Sequence, residues 1–277
     1  MEYFDYELAM LLEQDVPFLD NTTFGLGLDG VICAQFYPKK ESIVLCGIDE
    51  CIRLAKMQNL EILKSVKDST KLKKDEVALE LKGDIRAIFK VSKTIQNLLE
   101  YASSVATYTD KMLQTARAIN PNFSLLGTRK TMPFAKKILL KGLITGGGIP
   151  HRYGLSDSIL VFKEHRDFCK NFKENFKSLK SAFKEHKIIV EIENESEAKE
   201  FAKMGADILQ CERFLPEKLE SLIKELRQDY PHLLFSATGG VHLENIEKYA
   251  KAGADMAVST SMYRAPICDI KIAYLQG

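Results

Sequence analysis

The chain has 277 residues and near-balanced charge, 39 Lys and Arg against 38 Asp and Glu, for a net charge of +1. That balance argues against a binder of nucleic acid or membrane surfaces, which needs a basic excess, but it leaves room for a local cationic pocket. A chain of this length buries a large core, either as one big α/β unit or as two domains.

No run approaches the roughly 18 to 20 apolar residues of a membrane span. The N-terminal MEYFDYELAM is acidic and lacks the basic head and apolar core of a secretory signal. The six cysteines form no CxxC pair and no zinc-like spacing, and the five-residue separation of Cys46 and Cys51 reads as chance. The expectation is a cytoplasmic protein with reduced cysteines.

Residues 1–27 begin with a short helical pattern and a turn-rich patch, DVPFLDNTTFGLG. VICAQFYP and SIVLCGI then read as strands joined by a turn at Pro38-Lys39-Lys40, followed by a helix around Asp49–Asn59 and two more strands, LEILKSV and EVALELKG. This mixture predicts an α+β sandwich over about the first hundred residues. From Ile85 to Ile119, apolar residues recur at three and four, the period of a long helix that Pro121 ends.

Beyond Pro121, short apolar segments alternate with helical ones: FSLLGT, helical PFAKKILLK, LITGG, SILVF, a Lys- and Phe-rich helix over residues 165–185, KIIVEI, EAKEFAKMG, DILQCE, PEKLESLIKELRQDY, LLFSATGG, HLENIEKYAKAG and DMAVSTS. Strands alternating with helices of this length predict βαβ units and a parallel sheet. EAKEFAKMGADILQ and NIEKYAKAGADMAV resemble each other, each with a Gly suited to a helix C-cap and Ala-Asp leading into a buried strand. At least six such units in this span fit a closed or nearly closed barrel. The expected division is a domain over 1–105, with 264–277 returning to it through CDIKIAYLQG, and a barrel over 106–263.

The uncommon polar residues fall at the C-terminal ends of the barrel strands, the face that carries the active site in α/β barrels. Arg129 and Lys130 follow SLLG, His151 and Arg152 follow the triple glycine, Glu191 lies in IIVEI, and Glu212 ends DILQC. Thr238-Gly239-Gly240 and Thr260-Ser261 lie after the last two strands, where backbone N–H groups can cradle a phosphate. Each has a plain alternative: a solvated turn for Arg129-Lys130, a paired buried carboxylate for Glu191, the start of a loop for Glu212, an ordinary turn for the glycines. His165 and His186 read as surface helix residues. The joint pattern is far less easily accidental than any one part of it.

TRKT, GGG, HRYGLSDSILVFKEH, VEIEN, GADIL and ATGGV resemble, in order and spacing, the quinolinate (nicotinate-nucleotide) phosphoribosyltransferase family over most of the chain. The resemblance implies an N-terminal α/β sandwich and an incomplete, seven-stranded TIM-like α/β barrel. It also implies a homodimer whose sites are completed across subunits, and transfer from phosphoribosyl pyrophosphate (PRPP) with Mg2+ to quinolinate, releasing pyrophosphate and CO2. Where the family has Glu-Arg-Thr ahead of its long helix, this chain has Ser92-Lys93-Thr94, so Lys93 would replace an arginine donated by the neighbouring subunit, without the planar two-pronged grip. The position of the family's active-site lysine is Phe162, its Asp is Glu212, its Ser-Gly-Gly is Thr238-Gly239-Gly240, and a phosphate-binding Gly is Thr260. TMPFAKK, GGGIPHR, LQCERF and VSTSMY are similar to the ModD branch, pyrophosphorylases associated with molybdenum-transport genes.

On this reading Arg129, Lys130, His151 and Arg152 take the acidic substrate and pyrophosphate, beside Phe162. Glu191 and Glu212 hold ribose hydroxyls or Mg2+ waters without ligating the metal directly. Thr238, Gly239, Gly240, Thr260 and Ser261 hold the 5′-phosphate. Loss of the lysine at Phe162 suggests a less acidic or aromatic acceptor. The alternative is a non-catalytic protein that binds an oxyanion such as molybdate.

Overall fold

The computed structural model describes residues 3–276. The chain runs through α1 (Asp5–Asp15), α2 (Asn21–Gly25), β1 (Val31–Pro38), β2 (Ile43–Val44), α3 (Ile48–Met57), β3 (Glu61–Ser65), β4 (Lys71–Leu72) and β5 (Leu79–Asp84) into the long α4 (Ile85–Arg117). Then come β6 (Ser124–Gly127), α5 (Lys136–Thr145), β7 (Ile149–Pro150), β8 (Ile159–Val161), α6 (Lys163–Phe168), α7 (Phe172–Ala182), β9 (Ile188–Ile192), α8 (Glu195–Met204) and β10 (Ile208–Glu212). The chain finishes with α9 (Pro216–Asp229), β11 (Leu234–Thr238), α10 (Ile246–Lys251), β12 (Met256–Ser259), a 3-10 turn (Ser261–Arg264) and β13 (Ile270–Gln276).

Two compact units emerge, one of Met1–Asp110, Thr131–Gly147 and Tyr263–Gly277, the other of Lys111–Lys130 and Gly148–Met262. The first contains an antiparallel sheet in the order β13-β1-β5-β3 and a two-stranded β2-β4 ribbon. The C-terminal β13 pairs with β1 along its length, from Ile270 opposite Pro38 to Gln276 opposite Ile32.

Two strand expectations fail in this unit. SIVLCGI contributes only Ile43–Val44, because the backbone N–H groups of Val44 and Cys46 donate to the hydroxyls of Thr107 and Ser103 on α4, at 2.9 and 3.0 Å, and not to a neighbouring strand. LITGG forms no strand, since Leu143–Thr145 complete α5. Its buried Ile138, Leu139, Leu140 and Leu143 face the core at helical spacing. Gly142 lies flat against α4, where an added Cβ would stand 2.7 Å from both the Ala102 carbonyl oxygen and the Val105 Cβ. A short apolar run cannot tell strand from buried helix by periodicity alone, and here the helix wins through close backbone approach.

The second unit is a seven-stranded sheet, β7-β6-β12-β11-β10-β9-β8, in which every pairing is parallel. It is a seven-stranded incomplete α/β barrel, as expected. The repeated Gly-Ala-Asp segments have a specific use. Gly205 and Gly253 take left-handed backbone (φ +82° and +88°) just after α8 and α10, which glycine adopts without a Cβ clash. Asp207 then accepts the N–H of Ile188 at 2.7 Å, and Asp255 accepts that of Phe235 at 2.8 Å. Each aspartate thus ties the start of its own strand to the start of the adjacent one, and Arg227 at 2.8 Å balances the charge of Asp255. The helix expected over 165–185 is split: Cys169 is extended and Asn171 starts a second helix, so His165 is an exposed α6 residue while His186 lies past the end of α7.

Gly142→Ala tests the α4–α5 contact. In an exposed helix this change stabilises by up to ~1 kcal/mol, but the overpacked contact makes a loss of about 1–3 kcal/mol the expected outcome in urea denaturation. A gain in stability would contradict the close approach.

Candidate functional site

The strands of the second unit deliver side chains in register. Leu160, Ile189, Ile208 and Leu234 are aligned across β8–β11 and form an apolar floor, against which Phe162 and Met256 also pack. Because side chains alternate faces along a strand, the residues two positions on point the same way. In register these are Glu191, Gln210 and Ser236, and one step further Glu212 and Thr238. Polar groups therefore stand on an apolar base at the C-terminal mouth of the half-barrel.

On one flank are the cations. Arg129 and Lys130 are exposed beyond β6, while Arg152, beyond β7, is only 6 % exposed. Its guanidinium lies 5.5 Å from the centre of the Phe162 ring, within cation–π range. Burial, and then the charge of Arg129, lower the Arg152 pKa, with Asp157 acting in the opposite direction. Asp157 accepts the N–H groups of Tyr153 and Gly154 at 2.5 and 3.3 Å, shaping the loop that carries Arg152. His151 is pushed down to about 4, first by burial and then by Arg152. A buried arginine whose charge is disfavoured by a neighbouring one, next to a histidine held neutral, forms a site that an anion would relieve.

On the other flank are the carboxylates. Burial raises the pKa of Glu191, the Gln210 hydrogen bond opposes the rise, and the neighbouring charges of Glu212 and Glu164 add to it. The Gln210 amide nitrogen donates to Glu191 at 2.9 Å, which leaves the amide oxygen without a partner, as is the hydroxyl of Ser236. Gln210 and Ser236 are 4 % and 1 % exposed. Buried polar atoms left unsatisfied are uncommon and mark a place where a further group is accommodated. Sequence reasoning missed Gln210, Ser236 and Asp157, although the two-residue period of β10 and β11 placed the first two on the face of Glu212 and Thr238.

Between the flanks, the chain turns sharply after β11. Gly239 and Gly240 both have positive φ, +82° and +83°. A Cβ on Gly239 would strike Glu212 Oε1 at 2.8 Å, whereas one on Gly240 would meet nothing within 4 Å. The neighbouring loop after β12 is pinned by buried Ser259, whose hydroxyl donates to the Val241 carbonyl at 2.6 Å and accepts the Ser261 N–H at 3.0 Å. Thr260 pairs with Thr128 at 2.9 Å, and the Thr238 hydroxyl donates to the Val258 carbonyl at 3.3 Å. The result is a rigid, hydroxyl-lined cradle with backbone exposed at Gly240.

The structure thus gathers Arg129, Lys130, His151, Arg152, Phe162, Glu191, Glu212, Thr238, Gly239, Gly240, Thr260 and Ser261 in one unit. Lys93 is in the other. It lies within α4 and not ahead of it, exposed, with its ammonium on Gln96 at 2.7 Å. The helix begins earlier than the family pattern suggested because the Asp84 carboxylate accepts the Arg86 and Ala87 N–H groups and starts it there. Among the described residues no group of three or more His, Cys, Asp or Glu side chains could hold a metal ion, and no helix is long and apolar enough to cross a membrane.

Known proteins resemble this chain along most of its length. The chain is 29% identical over 276 residues to the ModD protein of Pasteurella multocida, covering 98% of both chains. It is 30% identical over 266 residues to a Methanocaldococcus jannaschii protein named for carboxylating nicotinate-nucleotide pyrophosphorylase, covering 91% of each. The structure of the nicotinate-nucleotide pyrophosphorylase from Francisella tularensis superposes with a TM-score of 0.87 at 22% identity, over 99% of this chain and 98% of that one, which establishes a common fold. Residues 20–103 match the N-terminal domain model of quinolinate phosphoribosyl transferase, and residues 105–273 match its C-terminal domain model. With both domain models matched in order and most of the chain covered, the protein belongs to the quinolinate phosphoribosyl transferase family.

Proposed function

We propose that the protein is a PRPP-dependent phosphoribosyltransferase of the nicotinate-nucleotide pyrophosphorylase type, acting on an aromatic acceptor less acidic than quinolinate. The observation that carries this reading is the opposition of two flanks across one cradle. Arg129 and Arg152 with Phe162 stand on one side, Glu191 and Glu212 on the other. In the reaction the anomeric C1–O bond to pyrophosphate breaks as a bond from C1 to the acceptor ring nitrogen forms, and positive charge develops on the sugar. Carboxylates near the ribose stabilise that charge, and cations stabilise the leaving pyrophosphate. The 5′-phosphate is assigned to Thr238, Gly239, Gly240, Thr260 and Ser261, and the leaving group and acceptor carboxylate to Arg129, Lys130, His151 and Arg152. Mg2+ would arrive on PRPP, with Glu191 and Glu212 holding its waters, and would neutralise the departing pyrophosphate.

Phe162 sets the acceptor. Where the family resemblance calls for a lysine, a ring packs on the apolar floor and carries the Arg152 guanidinium on its face. That exchange replaces a second cation with a stacking surface, which suits a planar ring bearing one carboxylate. Bare oxyanion binding has less support, because Glu191 and Glu212 repel an anion seated between them. Turnover of PRPP over a panel of pyridine and related carboxylates checks the assignment. Monocarboxylate acceptors are expected to outperform quinolinate, and quinolinate as the best substrate would refute it. Molybdate binding without PRPP binding would refute the enzyme reading altogether.

Lys93 enters the reading through a second copy of the chain. Its unit presents exposed Phe18, Met132 and Phe134, and a cavity of about 840 Å3 bordered by Thr94, Tyr101, Met132 and Phe134. A homodimer in which Lys93 reaches the partner's site accounts for both the stranded cation and this apolar surface. Co-refolded Lys93→Ala and Glu191→Gln chains, each inactive alone, are expected to recover about a quarter of wild-type activity, since half the dimers then carry one intact site. Absence of any recovery would count against a shared site. The six cysteines are thiols, five of them buried, which fits the proposed cytoplasmic location.

His151 provides a pH test. Its folded pKa, about 4, lies below the ordinary value of 6.5, so the unfolded chain binds a proton that the native chain refuses between those values. Stability contributed by neutral His151 is complete above pH 6.5 and is lost as pH falls toward 4. The His151 ring resonances are expected to titrate near 4 in the free protein, and to move upward when pyrophosphate binds. A free-protein midpoint near 6.5 would contradict the buried, arginine-flanked placement.

A further inference from the structure

We infer that Arg213 is a phosphate-binding residue, clamping the 5′-phosphate of the phosphoribosyl donor from the side opposite Arg129 and Lys130; this rests on the reading of the Gly239-Gly240 turn as the phosphate cradle. Arg213 follows β10 directly. Its backbone is left-handed, φ +56°, and among the described residues of the second unit it is the only non-glycine in that region. Such a conformation disfavours a side chain with a Cβ and persists where surrounding contacts impose it. Here the Arg213 N–H donates to the Thr238 carbonyl at 2.8 Å, joining the end of β10 to the residue that opens the cradle.

The side chain then crosses the cradle. Its Cγ lies only 2.6 Å from where a Cβ on Gly239 would stand, so glycine at 239 is needed for the arginine stem as well as for its own positive φ. The stem leads to a guanidinium whose Nε is 3.3 Å from Glu212 Oε1 and whose side chain is 83% exposed. An arginine lying loosely on solvent would not demand a strained backbone and a facing glycine. This one is fixed at its base and free at its tip, beside backbone that turns open at Gly240.

Strand order supplies the directional argument. The cradle is made by the loops after β11 and β12; β10 flanks it on one side and β6 on the other. Arg213 and Arg129 are therefore the cations that follow the two flanking strands. A phosphate ester carrying close to two negative charges is poorly balanced by hydroxyls and N–H groups alone, and a guanidinium gives it two parallel charged hydrogen bonds. The leaving pyrophosphate falls to the Arg129 side, which leaves the 5′-phosphate to Arg213.

Calorimetric titration of the full chain with ribose 5-phosphate and, separately, with inorganic pyrophosphate tests this. Arg213→Gly suits the left-handed backbone, so its melting temperature should equal or exceed that of the wild type. Its affinity for ribose 5-phosphate should fall at least about tenfold, the loss expected for a charged bidentate contact, with pyrophosphate affinity held and the KM for PRPP raised more than kcat is lowered. Arg213→Lys should recover part of the loss. Unchanged ribose 5-phosphate affinity in Arg213→Gly, an equal loss for both ligands, or a lowered melting temperature with KM unchanged would each overturn the assignment. A wild-type chain that binds neither ligand would instead overturn the phosphoribosyl reading on which it rests.

Discussion

The two-residue period of the parallel strands is the constraint on which the rest of the second unit depends. Strands β8 to β11 share one register, so a whole layer of side chains changes character in a single step along the chain. Leu160, Ile189, Ile208 and Leu234 form the dry level; Glu191, Gln210 and Ser236 form the next. A one-residue slip of any strand would drive its carboxylate or amide out of the mouth and replace it with a residue shaped for the helical side. Position in the site is therefore inherited from backbone pairing, and the pairing is held by packing against the floor.

That arrangement keeps charges where solvation is poor. Arg152 is buried against Phe162 and within the field of Arg129, and Glu191 is partly buried with Glu212 and Glu164 nearby. Each flank is destabilised by like charge and steadied by polar neighbours: Asp157 for the cations, Gln210 for the carboxylates. A ligand with negative ends and a cationic centre in its transition state relieves both flanks together. Sites built for developing charge generally cost stability in the free protein in this way.

Rigidity comes from small polar devices outside the reacting surface. Asp207 and Asp255 fasten neighbouring strands at their starts, and Ser259 fastens the loops after β11 and β12 to each other. With both ends of the strands tied, the cradle is held to the geometry of the sheet and not left to loop entropy. The positive φ of Arg213, beside the left-handed Gly239 and Gly240 that take it freely, places backbone strain at the rim, where a ligand would meet it.

Through its resemblance to the quinolinate phosphoribosyl transferase family the sequence implied the seven-stranded half-barrel, and by itself it determined the strand-and-helix alternation and the strand ends at which the polar residues sit. These follow from local periodicity and from motifs whose spacing encodes a turn or a cap, as in the two Gly-Ala-Asp segments and Thr238-Gly239-Gly240. Only tertiary structure decided that LITGG closes a helix, because the deciding contact is between Gly142 and α4, 40 residues earlier in the chain at Ala102. It also decided that SIVLCGI spends its N–H groups on α4 hydroxyls, that Gln210 serves Glu191, and that the Arg213 stem crosses Gly239. Each of these depends on atoms distant in sequence coming within a few ångströms of one another, and no local pattern carries that information.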